Sequence, residues 1–205
     1  MSRPTLTAAQ LDALRELMNI GVGRAARAIA ELSGREVALR VIEIDFFDPA
    51  RTDQHAEFRA QVNLRVTQPF FGGLRGFAVF TLSRDGAVRL AQLLLAKTAA
   101  DDAFDELEQG ALLELGNIVI GSTVGMLASG LAAPVRYELP QLQLRGIADV
   151  ADLLGDLVEL DDTPAIVMRA SLTLREETVT GYLILLFPDD SLALLSACLD
   201  RLQRS

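Results

Sequence analysis

Two carboxylate–carboxamide pairs are the residues best placed to do chemistry: Glu16 with Asn19, and Glu114 with Asn117. In each pair the residues are three apart. On a helix that spacing puts both side chains on one face, one turn apart. The carboxylate can accept charge-assisted hydrogen bonds. The carboxamide offers an acceptor and two donors in a fixed plane. It takes no proton near neutral pH, so it can orient a reactant but cannot serve as a base. Taken singly, an exposed Glu is a good helix former and an outward Asn is an ordinary solvated residue. An Asn inside a helix costs a few tenths of a kcal/mol, and a nearby Gly roughly 1 kcal/mol. That penalty occurs twice here, at matching positions.

The matching positions lie in a repeat. Residues 13–23 (ALRELMNIGVG) align with residues 111–121 (ALLELGNIVIG) at an offset of 98, and seven of the eleven residues are identical. A second correspondence, Gly76–Leu82 with Gly181–Phe187, has an offset of 105. Two copies at this spacing imply a duplicated half-domain rather than a solenoid. The expected organisation is one domain over residues 1–205, with repeats at about 7–99 and 104–203 joined by the acidic stretch at Asp101 and Asp102.

Each half opens with a long helix, 8–32 and 105–131, the first capped by Thr7 and stopped by Gly34. Strands follow. The clearest is Phe58–Val66, with strict period-two alternation, and its counterpart is Ile166–Leu174; alternation predicts one core face and one wet or thinly covered face. A shorter helix closes each half, Gly86–Ala96 and Ser191–Leu202. The expected fold is α+β: duplicated αβββα half-domains with pseudo-twofold symmetry, one continuous antiparallel sheet, and two long helices packed on one face. In the first helix Leu14, Met18, Gly21, Ala25, Ala28 and Leu32 form the predicted core stripe. Asp12, Glu16, Asn19 and Gly23 lie opposite. The second helix repeats this outward face with Gly110, Glu114, Asn117 and Gly121.

Composition narrows the classes. The 205 residues are 50% hydrophobic and 23% charged, with 19 Lys+Arg against 28 Asp+Glu and a net charge of −9. That balance argues against nucleic-acid binding. One cysteine (Cys198) and one histidine (His55) supply neither a disulfide nor a zinc site of the usual type, and suggest a reduced, cytoplasmic setting. Cys198 reads as a small core residue and His55 as a solvated one. The N-terminal ten residues contain no apolar h-region, so no signal peptide is expected. Leu115–Val135 is 21 residues without charge and contains Gly121-x-x-x-Gly125, long enough to span a bilayer. Its repeat partner carries Arg24, Arg27 and Glu31 where it has Ser122, Gly125 and Ser129. The expectation is therefore a helix of the soluble type with a smooth outer face, and no membrane insertion.

The pattern Asp/Ser-x-x-x-Glu-x-x-Asn followed by a proline 23 residues after the Asn resembles the signature of the CheC/CheX/FliY family of CheY-phosphate phosphatases, and the CheC branch in particular. The first motif reads Asp12, Glu16, Asn19, with Ile42 in place of the proline. The second reads Glu114, Asn117, Pro140, with Gly110 in place of Asp or Ser. CheX-like members keep one Glu/Asn pair, whereas this chain keeps two. The resemblance implies hydrolysis of the aspartyl phosphate of a CheY-type receiver. Asn19 and Asn117 would orient the attacking water, and Glu16 and Glu114 would dock on the receiver's lysine. It implies no metal or cofactor of the protein's own; Mg²⁺ would come with the receiver. It also implies an alternative, an adaptor that sequesters a receiver or binds the deamidase CheD. The small residues Gly23, Ala26, Ala30 and Gly121, Val124, Ala128 are expected to form a track for close docking. Pro140 is expected to set the floor of the second site and make it the stronger.

Overall fold

The computed structural model describes residues 6–47, 64–97, 104–144, 165–174 and 177–203. The first half runs α1 (Ala8–Ser33), β1 (Val37–Phe47), β2 (Leu64–Gly72), β3 (Gly76–Leu82) and α2 (Arg84–Leu95). The second runs α3 (Glu106–Gly130), β4 (Val135–Tyr137), β5 (Gln141–Gln143), β6 (Ala165–Leu174), β7 (Glu177–Leu186) and α4 (Asp189–Leu202). The predicted acidic linker and His55 lie outside the described residues.

Local chemistry accounts for the helix ends. Thr7 caps α1 in a reciprocal box with Gln10, and Gly34 closes it at φ 63°, in the left-handed region that suits glycine. Asp105 and Glu108 form the same box at the start of α3. Lys97, just past α2, reaches both carboxylates and ties the two helices together.

The seven strands form one antiparallel sheet in the order β1-β6-β7-β3-β2-β4, with β5 also pairing β2. The second half thus has four strands among the described residues, not the three expected. The cause is local: β4 and β5 flank Glu138-Leu139-Pro140, and a proline has no N–H to give the ladder.

The core lies between one face of this sheet and the helices. Leu64, Val66, Phe70, Phe80, Leu82, Leu183 and Leu185 meet Leu14, Met18, Val22, Leu112, Leu115, Val119 and Leu195. Cys198 is a free thiol within it. Two expectations need correction. Leu32 is 63% exposed, because Ile29 is the last buried residue of α1 and the final turn extends past the packing surface. Leu64–Val66, the described part of the alternating segment, is buried on both faces. So are Val79, Thr81 and Ile184 on the sheet's reverse face. Phe58–Asn63 lie outside the described residues.

Helix α3 is long and apolar enough to cross a membrane, with a mean hydropathy of 1.6, yet half of that window is buried inside the protein. Two glycines let it settle. A Cβ on Gly116 would stand 2.6 Å from the Val66 side chain, and one on Gly21 would stand 2.8 Å from the Thr123 Cα. The α3 backbone therefore rests directly on β2 and on α1. Gly116→Ala should destabilise the protein by about 1–3 kcal/mol through overpacking, since β-branched Val66 has little rotamer freedom. Urea unfolding checks this. The Lys97 hydrogen bond holds the Asp105 carboxyl below its usual range. A depressed pKa contributes stability above the unfolded value of about 4 and loses it as pH falls through the folded value. Asp105→Ala should therefore lower the melting temperature at pH 7, with the difference shrinking in acid.

Candidate functional site

The outward faces are where the repeat places them. Asp12, Glu16, Asn19 and Gly23 are exposed on α1, and Glu114 is exposed on α3. Asn117 differs from Asn19: it is half-buried, and it is held.

Gln68 holds it. The inward positions of β2 alternate Leu64, Val66, Gln68, Phe70, so an amide stands where the pattern calls for an apolar residue. Gln68 is 4% exposed. Its Nε2 donates to Asn117 Oδ1 at 3.2 Å and to the Glu138 carbonyl at 3.1 Å. Asn117 Nδ2 in turn donates to Glu114 Oε2 at the long distance of 3.5 Å. The chain Gln68–Asn117–Glu114 therefore runs from the buried sheet to the surface. Gln68 Oε1 is buried without a hydrogen-bond partner, a state that costs about 1–3 kcal/mol. A leucine would be the more stabilising choice for packing alone.

Glu138 is fixed by its own N–H, which donates to the Pro69 carbonyl at 3.0 Å. That bond prolongs the β2–β4 pairing, so the Glu138 carbonyl arrives beside Gln68. The site contact thus comes from Glu138. Pro140, the expected floor, is half-buried two residues further on, where β5 begins.

The first site lacks this support. Among the described residues, Glu16 and Asn19 make no side-chain hydrogen bond. Asp12 meets Arg15 at 3.6 Å, with both exposed, an ion pair worth about 0–1 kcal/mol. Beside Asn19 lies a groove of about 510 Å³ lined by Ile20, Gly23, Arg24, Arg27, Ala28 and Glu31.

The expected docking track is only partly at the surface. Gly23 is exposed, and Ala30 and Gly121 are half-buried. Ala26, Val124 and Ala128 are buried at 9%, 0% and 5% exposure. The helical wheel places them outward, but it omits neighbours. Here α1 and α3 pack against each other, and Tyr137 at the end of β4 reaches α3. The smooth face of α3 has an occupant within the chain: Tyr137 donates its hydroxyl to the Gly121 carbonyl at 3.3 Å, and a Cβ on Gly125 would touch that oxygen at 3.5 Å. Burial pushes the Tyr137 phenol up, which keeps it a donor. Gln68, Glu138 and Tyr137 escaped the sequence reading; for Gln68 the signal was there, as the one polar residue in an apolar period-two set. Among the described residues no group of three or more His, Cys, Asp or Glu side chains could hold a metal ion.

The fold is that of known flagellar and chemotaxis proteins. FliY of Thermotoga maritima superposes with a TM-score of 0.79 at 18% identity, covering 98% of this chain and 100% of that one. The FliM middle domain of H. pylori gives a TM-score of 0.66 at 9% identity, covering 94% and 99%. In sequence, the CheC-like family model matches residues 10–41, which include Asp12, Glu16 and Asn19. The CheY-P phosphatase CheC of Bacillus subtilis (strain 168) is 29% identical over 141 residues, 66% of each chain. These matches bear out the resemblance to the CheC/CheX/FliY family.

Tyr137→Phe should lower stability by about 1 kcal/mol, the net worth of a hydrogen bond, as read by urea unfolding.

Proposed function

We propose that the protein is a chemotaxis phosphatase that accelerates hydrolysis of the aspartyl phosphate on a CheY-type receiver. The observation that carries this reading is the Glu/Asn pair on the outward face of both long helices, in a chain similar to a CheY-P phosphatase. The reaction asks little of a partner. Water attacks phosphorus, the P–O bond to the aspartyl carboxylate breaks, the carboxylate leaves, and the water's proton ends on inorganic phosphate or solvent. The receiver brings its own Mg²⁺ and lysine. What this chain adds is orientation of the water by Asn19 or Asn117, and a carboxylate, Glu16 or Glu114, to pair with the receiver's lysine. Neither amide serves as a base.

The mirrored sheet order supports a duplicated half-domain. Read from either edge it gives an outer strand supplied by the other half, a hairpin, and then the same two in reverse. Each half would then carry one site. The hydrogen bonds around Asn117 favour the second site, because an amide already oriented loses less freedom on docking. The protein would work in the cytoplasm, where receivers are phosphorylated.

A second reading is a CheC-like adaptor that sequesters a receiver or binds CheD. The departures at Ile42 and Gly110 favour it, since each leaves one motif incomplete. Phosphate release from a phosphorylated receiver separates the two. Asn19→Ala with Asn117→Ala should abolish stimulated release and lower stability by only about 1 kcal/mol, the hydrogen bond that Gln68 loses. Singly, Asn117→Ala should lose more than Asn19→Ala. Full activity in the double variant would remove the mechanism placed on the two amides, whereas no stimulated release by the unsubstituted protein would leave only the adaptor.

A further inference from the structure

We propose that Gln68 is a positioning residue for the second site: its buried amide N–H fixes the rotamer of Asn117 and the sense in which its carboxamide faces the receiver. This rests on the phosphatase reading, in which Asn117 orients water.

A surface asparagine can turn about two side-chain torsions and exchange its oxygen and nitrogen edges. The Gln68 N–H can donate to only one edge, Oδ1. With that edge turned to the sheet, Nδ2 faces Glu114. The outward group is then an N–H donor beside a carboxylate, with one lone pair of Oδ1 still free. Gln68 is itself held. It lies in the β2 ladder opposite Ala78, it is almost fully buried, and its Nε2 also binds the Glu138 carbonyl. The direction of support is therefore from the rigid sheet to the exposed amide. Gln68 keeps a buried oxygen without a partner, so packing does not explain its presence.

The first site offers a contrast by register. Gly76 and Gly181 correspond in the repeat, and they place Met168, paired with Leu183, where Gln68 pairs with Ala78. A methionine has no N–H to donate. The support is thus particular to one of the two sites, and it sorts them into an oriented amide and a free one.

The test uses the full chain carrying Asn19→Ala, so that only the second site works, and a Mg²⁺-loaded CheY receiver charged with acetyl phosphate. Gln68→Met removes the donor at similar volume, and Gln68→Leu is the alternative should that variant fold poorly. The expected result is a fall in kcat of about tenfold, within the range that errors of order 1 Å produce, with KM changed less than twofold. On an Asn117→Ala background that keeps Asn19, so that only the first site works, the same substitution should change nothing further. An unchanged kcat, a rise in KM alone, or an equal loss on the Asn117→Ala background would overturn the proposal. If adding Asn117→Ala to the Asn19→Ala chain costs nothing, the phosphatase reading falls instead. The side-chain amide resonances of Asn117 in the free protein then still decide whether Gln68 orients it: they should shift in Gln68→Met, and identical resonances would overturn the positioning role.

Discussion

The structure turns on one close approach, that of the α3 backbone to β2 at Gly116. Without a side chain there, Val66 can press against the helix itself. Asn117 is the next residue along α3, and Gln68 lies two residues along β2 on the same face as Val66. The contact that closes the core therefore also sets the reach between the two amides. A wider separation would leave the 3.2 Å hydrogen bond unmade and Asn117 as free as any surface residue. Core packing and site geometry are the same constraint at adjacent residues.

The same economy of small residues joins the two long helices. Gly21 brings α1 onto Thr123, and the Leu17 side chain reaches Gly130, so the helices run side by side in opposite directions. Their outward faces then show the two Glu/Asn pairs in different surroundings. On α1 the pair borders an open groove with two arginines. On α3 the pair is tied to the sheet, and Tyr137 lies against the helix at Gly121 and Gly125. Duplicated motifs thus meet unlike neighbours, and the difference lies in β2 and β4, not in the helices that carry the motifs.

Much of this was legible in the sequence. The helices, their caps at Thr7 and Gly34, the outward placement of Glu16, Asn19 and Glu114, and the buried Cys198 follow from periodicity and capping. Those depend on residues within one or two turns. The family resemblance came from the same short-range spacing. Tertiary structure decided the rest. Ala26, Val124 and Ala128 lie outward on a wheel that carries no neighbours, and are buried where α1 and α3 pack together. The break between β4 and β5 depends on a proline's missing donor meeting a particular ladder. Gln68 looked like one polar residue in a strand; its meaning required Asn117, 49 residues away, and a helix close enough to touch. Local rules determine which face a side chain occupies, whereas its partner there is a long-range fact that only the folded chain supplies.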